Sequence, residues 1–249
     1  MKINIQKFLD KTAIHVGKVI LNFKIKNKIK VLEKKKNLKK NIDQIANEIW
    51  ISRIKREFKT PKIISEESIN IEKINNRWTG FIIDPIDGTR SLTENFNGYV
   101  TQVAYVKNSK IRNSVIYNPE TNELFNGNKK YFKTNTLNNI IDNYPVPNKI
   151  ISKLIKKLKI PNYIELGGIG YKMCKTLDGG SDLFVKLNML KIWDVAPAMY
   201  IIEKNGGYVR DKYFKKISLK KNNINGIIVT MSNKSYKLLK KVYPKGIIF

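Results

Sequence analysis

Residues 81–89 have the sequence FIIDPIDGT, an apolar run that leads into two aspartates three positions apart. The apolar part is typical of a buried strand, which would deliver Asp84 at its C-terminal end. Pro85 lacks a backbone N–H and is expected to stop the strand, so that Asp87 follows in a tight turn. The two carboxylates and the Ile86 carbonyl then face one point. An Asp-Gly turn alone is common, but the whole string after an apolar strand is rare and predicts a ligand site.

The donor atoms of this string indicate which ligand it binds. They are hard oxygens without His or Cys, a set that favours Mg²⁺ over zinc. Gly88 lets the backbone approach a ligand closely. The N–H groups of Gly88 and Thr89 would open a helix or turn suited to holding phosphate. We therefore expect a magnesium and phosphate site here.

Two further acidic clusters follow predicted elements. The string SEES at 65–68 comes directly after the short apolar strand KII, and its two adjacent acids cannot both enter a core without compensation. The string WDVAPA at 193–198 places Asp194 at the N-cap of a helix and Pro197 in its first turn. Taken alone, the first cluster favours an acidic surface loop over a ligand site, and the second is equally compatible with plain helix capping.

The composition is strongly basic, with 48 Lys and Arg against 20 Asp and Glu, a formal charge of +28 and a pI near 10.0. A field of this sign concentrates nucleic acid, anionic membrane or phosphorylated metabolites. Lys, Asn and Ile are abundant throughout, however, as a genome-wide compositional bias would also produce. The single Cys174, the absence of an apolar N-terminal block and the lack of any run of about 20 apolar residues predict a cytoplasmic protein without a membrane span.

The hydrophobic periodicity predicts layered α/β architecture, and we expect one domain over 1–249 with lobes at about 1–140 and 141–249. The basic stretch at 26–40 is predicted as an exposed connection between the first two helices. Helices are predicted at about 5–23, 42–58, 149–158, 169–177, 195–205 and 233–242. Strands are predicted at about 62–65, 81–84, 99–106, 111–117, 123–125, 163–166, 182–185 and 226–230.

The strings SEES, FIIDPIDGT and IWDVAPAMYIIEKNGG (192–207), in this order and at these separations, resemble the inositol monophosphatase superfamily. That group includes inositol monophosphatases, 3'(2'),5'-bisphosphate nucleotidases, histidinol-phosphate phosphatases of this fold and fructose-1,6-bisphosphatases. The resemblance covers residues 40–230 and implies an αβαβα sandwich with the metal site where the lobes meet. It also implies a Mg²⁺-dependent phosphomonoesterase that uses a metal-activated water, in a group whose members are commonly homodimers.

The resemblance implies a role for individual residues as well. Asp43 would pair with Thr89 to orient the attacking water, and Glu66 would also take its proton. Lys40 stands where the family usually has a threonine, and Ser65 replaces the glycine that precedes Glu66. The implied metal ligands are Glu66, Asp84, the Ile86 carbonyl, Asp87 and Asp194.

The substrate is less well indicated. True inositol monophosphatases place an acidic residue that contacts inositol seven positions before the WD aspartate, where this chain has Leu187. Residues 168–174 resemble a helix start of bisphosphate nucleotidases, in which a lysine, here Lys172, meets a second phosphate; in a chain this rich in lysine the match also fits chance. The expected substrate is inositol phosphate or 3'-phosphoadenosine 5'-phosphate, with histidinol phosphate as the alternative. The implied substrate contacts are Gly88, Thr89, Lys172 and Asp194.

Two hypotheses of other classes compete with an enzyme. A basic nucleic-acid-binding protein is compatible with the charge, but the basic residues are spread out and no aromatic-plus-basic recognition motif is present. A non-catalytic relative that binds phosphorylated ligands is the other. A decayed site has no reason to keep buried acids together, so the four intact carboxylates favour catalysis.

Overall fold

The computed structural model describes residues 3–27, 35–68, 72–94, 96–131 and 136–248, with the side chains of 27 and 35–40 left out. The helices are α1 (Ile5–Asn27), α2 (Lys35–Glu57), α3 (Thr89–Thr93), α4 (Lys149–Leu158), α5 (Ile169–Lys175), α6 (Ile192–Lys204) and α7 (Asn233–Val242). The strands are β1 (Lys62–Ser65), β2 (Gly80–Asp87), β3 (Val100–Lys107), β4 (Lys110–Asn118), β5 (Glu123–Asn126), β6 (Asn139–Asp142), β7 (Asn162–Glu165), β8 (Leu183–Lys191), β9 (Tyr208–Arg210) and β10 (Asn223–Thr230).

The first sheet has the order β1-β2-β3-β4-β5, with β1 parallel to β2 and the remaining pairs antiparallel. Side chains alternate across β2, because successive residues of a strand point to opposite faces. Phe81 and Ile83 pack with α1 and α2, whereas Ile82 packs into the centre of the molecule. Both faces of β2 are therefore buried, which explains its continuous apolar sequence.

The second sheet has the order β7-β6-β8-β10-β9, in which β6 is parallel to both of its neighbours. One face packs against α5, α6 and the first sheet; the other packs against α4 and α7. The Asn148 side chain caps α4 by accepting from the N–H groups of Ile150 and Ile151. The layers are thus α1/α2, first sheet, α5/α6, second sheet and α4/α7. The predicted αβαβα sandwich is confirmed.

Several predicted boundaries were wrong. The second helix begins at Lys35 rather than near 42, because its lysine-rich first turns lack the apolar periodicity used to find it. The predicted connection at 26–40 shrinks accordingly, and 28–34 lie outside the described residues. Strand β8 extends to Lys191 instead of ending near 185, and α6 follows at once. The short strands β6 and β9 went unpredicted, since each carries only one or two apolar residues.

Pro85 does not end its strand, contrary to the prediction. Strand β2 continues to Asp87, and Asp84 and Asp87 lie opposite Gln102 and Val100 of β3. Three residue steps along β2 are thus matched by two along β3, which is the pattern of a β-bulge. A bulge can accommodate Pro85, because the extra residue needs no N–H for the pairing. The bulge keeps both aspartates at the same end of the sheet. No helix within the described ranges is long and apolar enough to cross a membrane.

Candidate metal and phosphate site

A cavity of about 600 Å³ opens at the ends of β1 and β2 and is also lined by α5, α6 and β8. Its wall contains the acidic residues of all three strings identified in the sequence. The predicted site residues that line it are Glu66, Asp84, Ile86, Asp87, Gly88, Thr89, Lys172 and Asp194. Residues more than 120 positions apart along the chain are thereby brought to one place.

Asp84 is the most deeply buried of these carboxylates, with 1% of its surface exposed. Its Oδ2 accepts a hydrogen bond of 3.3 Å from Gln102 Nε2, while its Oδ1 has no hydrogen-bond partner among the described residues. Burial raises the pKa of Asp84 well above its usual range, and Asp87, Glu66 and Asp194 raise it further. A buried carboxylate with an unpaired oxygen and negative neighbours is costly unless a cation compensates it.

Asp87 is held by the first turn of α5. Its Oδ1 accepts from the N–H of Ile169 at 2.8 Å and its Oδ2 from the N–H of Gly170 at 2.6 Å. Burial raises the pKa of Asp87, although these backbone hydrogen bonds and the charge of Lys172 act in the opposite direction. The helix start therefore orients a carboxylate 82 residues away in the sequence.

Asp194 is the third residue of α6, not its N-cap as predicted. Its Oδ2 accepts from the N–H of Lys191 at 2.8 Å, and burial, followed by Asp87, raises its pKa to about 7. Pro197 lies in the second turn instead of the first, because the helix starts earlier. Asp194 keeps one oxygen engaged at the helix start while it lines the cavity.

Glu66 follows β1 and is exposed toward the cavity opening. Its N–H donates to the Ile83 carbonyl at 3.2 Å, which continues the parallel pairing of β1 with β2. The preceding Ser65 is buried and its hydroxyl donates to Asn47 Oδ1 of α2 at 2.7 Å. The serine that replaces the family glycine thus ties this strand end to the outer helix layer.

Thr89 and Asp43 are brought together from distant parts of the chain. Thr89 Oγ1 lies 3.3 Å from Asp43 Oδ1 and 3.0 Å from the Ile86 carbonyl oxygen. One hydroxyl hydrogen can be donated to only one of these acceptors at a time. Asp43 is 6% exposed and contacts the site through Thr89. The pairing implied by the resemblance is present even though Lys40 departs from the family pattern.

Sequence reasoning missed Gln102 and Lys186. Gln102 Nε2 lies 3.2 Å from the Trp193 carbonyl and 3.4 Å from that of Asp194, besides its contact with Asp84. It links β2 to α6, and no local signal marked it because it occupies an ordinary strand position. Lys186 lines the cavity, whereas the neighbouring Leu187 packs against the outer core of the second sheet.

The residues present fit a hard divalent cation. They offer carboxylate and carbonyl oxygens, and the unpaired Asp84 Oδ1 faces a concentration of negative charge. In the described part of the chain no three His, Cys, Asp or Glu side chains are placed to hold a metal ion by themselves. Magnesium typically keeps several water ligands and binds through one or two carboxylates plus substrate phosphate, so an open set of this kind suits it.

A sequence model described as "Inositol monophosphatase family" matches residues 3–243. The chain belongs to the inositol monophosphatase family. Among curated relatives, "Nus factor SuhB" of Xylella fastidiosa is 23% identical over 222 residues, covering 81% of this chain and 79% of that protein. Human "Inositol monophosphatase 1" is 26% identical over 227 residues, covering 80% of each. The inositol monophosphatase II structure from Staphylococcus aureus shares the fold, with a TM-score of 0.79, 15% identity and coverage of 96% of this chain and 94% of that one.

Membership in the inositol monophosphatase family confirms the resemblance that the three strings indicated. The inositol monophosphatase family consists of phosphatases. The chain is therefore a member of a family of phosphoric ester hydrolases. The family model also matches α1, a segment that lies outside the three sequence strings on which the resemblance was based. At this level of identity the structural neighbours show the fold alone.

Proposed function

We propose that the protein is a magnesium-dependent phosphomonoesterase that hydrolyses a small phosphorylated metabolite. The observation that carries the proposal is the partnerless, buried Asp84 Oδ1 beside three other carboxylates in an open cavity. A bare cluster of this kind is costly in an aqueous protein, and bound magnesium would neutralise it and in turn attract an anionic phosphate ester.

The proposed metal-holding atoms are the carboxylates of Glu66, Asp84, Asp87 and Asp194 with the Ile86 carbonyl. Bound magnesium would supply charge neutralisation of the phosphate and a lowered pKa for water. Gln102 fixes the orientation of Asp84, and the start of α5 fixes that of Asp87. These contacts hold the carboxylates before the substrate arrives, as electrostatic preorganisation requires.

Thr89 and Asp43 are proposed to position the attacking water. When Thr89 donates to Asp43, its oxygen lone pairs are available to accept from a water in the cavity. Glu66, at the cavity opening, is proposed as a further proton acceptor. The N–H groups near Gly88 and Thr89 are proposed to hold the phosphate oxygens. No protein nucleophile is needed, because phosphoryl transfer depends mainly on positioning and charge stabilisation.

The test is inorganic phosphate release by the purified chain with and without Mg²⁺. The substrates are inositol 1-phosphate, 3'-phosphoadenosine 5'-phosphate, histidinol phosphate and fructose 1,6-bisphosphate. We expect turnover that needs Mg²⁺ and falls by roughly 10²–10³-fold or more in Asp84→Asn. The matched control is Asp10→Asn, which alters another aspartate with a pKa raised by burial but outside the cavity.

Absence of phosphate release from every substrate by folded protein would contradict the enzyme proposal. The two binding-protein hypotheses would then be examined by titration with DNA and with the same phosphorylated compounds; steep salt dependence on arbitrary DNA would favour the first. Cytoplasmic location stays a prediction from the sequence, and a homodimer stays an expectation from the family resemblance.

A further inference from the structure

Helices α4 and α7, which cover the outer face of the second sheet, have an unusual charge balance. Their sequences are KIISKLIKKL (149–158) and NKSYKLLKKV (233–242), with eight lysines among 20 residues and no Asp, Glu or Arg. Two more lysines, Lys159 and Lys245, follow the helices, and all ten side chains are exposed. We call these ten lysines, within 149–159 and 234–245, the outer basic surface.

A uniform abundance of lysine does not account for the outer basic surface. The helices of the opposite outer layer, α1 and α2, contain 12 Lys and Arg but also four Asp and Glu among 46 residues. The same net charge of +8 is thus spread over 46 residues in one layer and concentrated in 20 residues in the other. A genome-wide bias would act on both layers alike. The fold therefore collects on one face lysines that are spread out along the chain.

The positions of these lysines work against helix stability. Lys149 and Lys234 lie in the first turns of α4 and α7, where the helix dipole disfavours a cation and neither helix has an acidic residue. Lys149 and Lys153 are four residues apart on one helix, as are Lys237 and Lys241, and like charges at this spacing repel each other. Helix formation alone does not explain this arrangement, whereas a bound polyanion would offset the repulsion.

The lysines of the two helices belong to one continuous surface. Leu154 of α4 and Leu239 of α7 pack in the same core cluster, so that the two helices lie side by side. Lys157 Nζ of α4 lies 5.5 Å from the ring centre of Tyr243, which follows α7. A helix of ten residues is about 15 Å long and packed helices lie about 8–10 Å apart, so the surface measures about 15 Å by 20 Å.

Most of the outer basic surface is not neutralised by the protein itself. Among the described residues, no carboxylate lies within 4.0 Å of any lysine of α7, nor of Lys149, Lys156 or Lys157 in α4. Each ammonium group has three donors and no acceptor. The surface therefore offers many hydrogen-bond donors and positive charges to an anionic partner.

The apolar side chains of the two helices favour nucleic acid over a membrane. Helices that lie in a membrane interface place Trp, Phe or Leu on the face that enters the lipid. In α4, Ile151, Leu154 and Leu158 are buried in the core instead. Of the large apolar side chains in α4 and α7, both described in full, Leu238 alone is more than a third exposed, at 37%. The surface therefore has little to insert into lipid.

The type of nucleic acid follows from the same composition. Proteins that hold single strands stack the bases on aromatic side chains, and neither helix has an exposed aromatic residue. Recognition of RNA duplexes uses contacts to 2'-hydroxyl groups as well as phosphates, whereas a surface of ammonium groups is matched to phosphates alone. These observations favour a DNA duplex that is bound through its backbone.

We propose that the outer basic surface binds the phosphate backbone of double-stranded DNA, independently of base sequence. Duplex DNA carries about one negative charge per 1.7 Å of its axis, so a surface about 15 Å long lies along about nine phosphates. None of the residues of α4 and α7, which the structure describes completely, lines the cavity. This second activity is therefore separate from the proposed hydrolysis and does not rest on it.

The test is fluorescence anisotropy with a labelled DNA duplex of arbitrary sequence, in chelator and at about 50–200 mM KCl. The surface variant replaces four lysines without a carboxylate partner among the described residues by Gln: Lys149, Lys156, Lys237 and Lys241. The matched control variant replaces four exposed lysines of the opposite outer layer by Gln: Lys7, Lys11, Lys18 and Lys55. Both variants lose the same formal charge, and Gln is a good helix former.

The surface variant should bind the duplex at least about tenfold more weakly than the wild type at about 0.1 M salt. Its slope of log K against log salt should be smaller by about 3, because each lost phosphate contact removes about 0.9. The control variant should lose less than about threefold, and Arg at the four surface positions should retain the affinity. Absence of wild-type binding at about 50 mM salt, or equal losses in the surface and control variants, would overturn the proposal.

The other polyanions are tested with the same proteins. An RNA duplex of the same sequence and vesicles of phosphatidylcholine with phosphatidylserine serve as the probes. Tighter binding to the RNA duplex, or vesicle binding that the surface variant loses while its DNA binding is unchanged, would also overturn the proposal. Urea unfolding verifies that the variants are folded. If the surface variant is not, Lys237→Gln with Lys241→Gln replaces it, and its salt slope should be smaller by about 2.

Discussion

The side chain of Gln102 donates to the carbonyl oxygen of Trp193 at 3.2 Å. That carbonyl lies four residues before Pro197, which has no N–H to donate to it within α6. A strand residue therefore completes the hydrogen bonding of a helix that a proline interrupts. The same amide also contacts Asp84, so the stability of α6 and the orientation of a proposed metal ligand depend on one side chain.

Replacing Gln102 by Leu should destabilise the protein and weaken its response to magnesium. The Trp193 carbonyl would lose its partner, which costs about 1–3 kcal/mol in the free energy of unfolding measured with urea. Asp84 would also lose the hydrogen bond that Gln102 donates to its Oδ2, and the rise in Tm on adding Mg²⁺ should shrink. Gln6→Leu is the control, since Gln6 is another buried amide with three hydrogen bonds, but it does not line the cavity. It should lower stability and leave the magnesium response intact; equal magnesium responses in the two variants would contradict this role.

Thr89 and Asp43 should act as one unit in catalysis. Thr89→Val keeps the shape of the side chain but removes the hydroxyl, and kcat should fall by roughly 10²–10⁴-fold. Asp43→Asn should have a smaller effect in the same direction, and the double variant should be no worse than Thr89→Val. Thr93→Val, in the same helix but outside the cavity, is the control. Multiplicative losses in the double variant would show that the two residues act independently.

The stability of the metal-free protein should fall as the pH rises. Asp194 has a pKa of about 7 in the folded protein against 3.8 as its ordinary value, so the folded state binds more protons between these values. The contribution of protonated Asp194 to the free energy of unfolding is complete below about pH 4, and it is lost as the pH rises through about 7. Magnesium competes with the same protons, so the rise in Tm that it produces should grow over this window. If bound Mg²⁺ adds about 2 kcal/mol to the free energy of unfolding, Tm should rise by roughly 4–8 °C.

Scanning calorimetry from about pH 4 to 8, in chelator and in MgCl₂, measures both effects. Asp84→Asn removes the most deeply buried charge and should flatten the pH dependence in chelator. A metal-free Tm that is constant or rises between pH 5 and 7 would contradict the prediction.

Gly168→Ala should disturb the proposed metal site through the backbone. Gly168 has φ of +56°, and an added Cβ would lie 2.4 Å from the Gly98 carbonyl oxygen. The left-handed conformation alone costs about 1–2 kcal/mol with a side chain, and relief of the clash would move the start of α5 away from Asp87. Unfolding free energy and the magnesium-induced rise in Tm should both fall. Gly180→Ala, whose Cβ would meet the flexible end of Lys175 at 3.0 Å, should be nearly neutral; comparable losses in the two variants would rule this explanation out.

Much of the fold was predictable because it depends on local patterns. Helix α4 was predicted with its observed bounds, since its apolar residues recur with a helical period and Asn148 caps it. Strand β6 could not be found in this way. It is an interior strand of the second sheet, but its four residues contain only two apolar ones, and its identity comes from pairing with β7 and β8.

From the sequence alone, the rare FIIDPIDGT string indicated Asp84 and Asp87, because an apolar strand followed by two aspartates in a turn is a pattern within a few residues. Glu66 and Asp194 were named through the family resemblance, although the strand end at Pro85 and the N-cap position of Asp194 were wrong. The tertiary structure alone decided how they are held and what faces them. Gln102 reaches Asp84 through sheet register, and the alternation of side chains along β8 places Lys186 in the cavity wall and Leu187 against the outer core. A shift of one residue in a strand exchanges its two faces, and nothing local in the chain records which face is chosen.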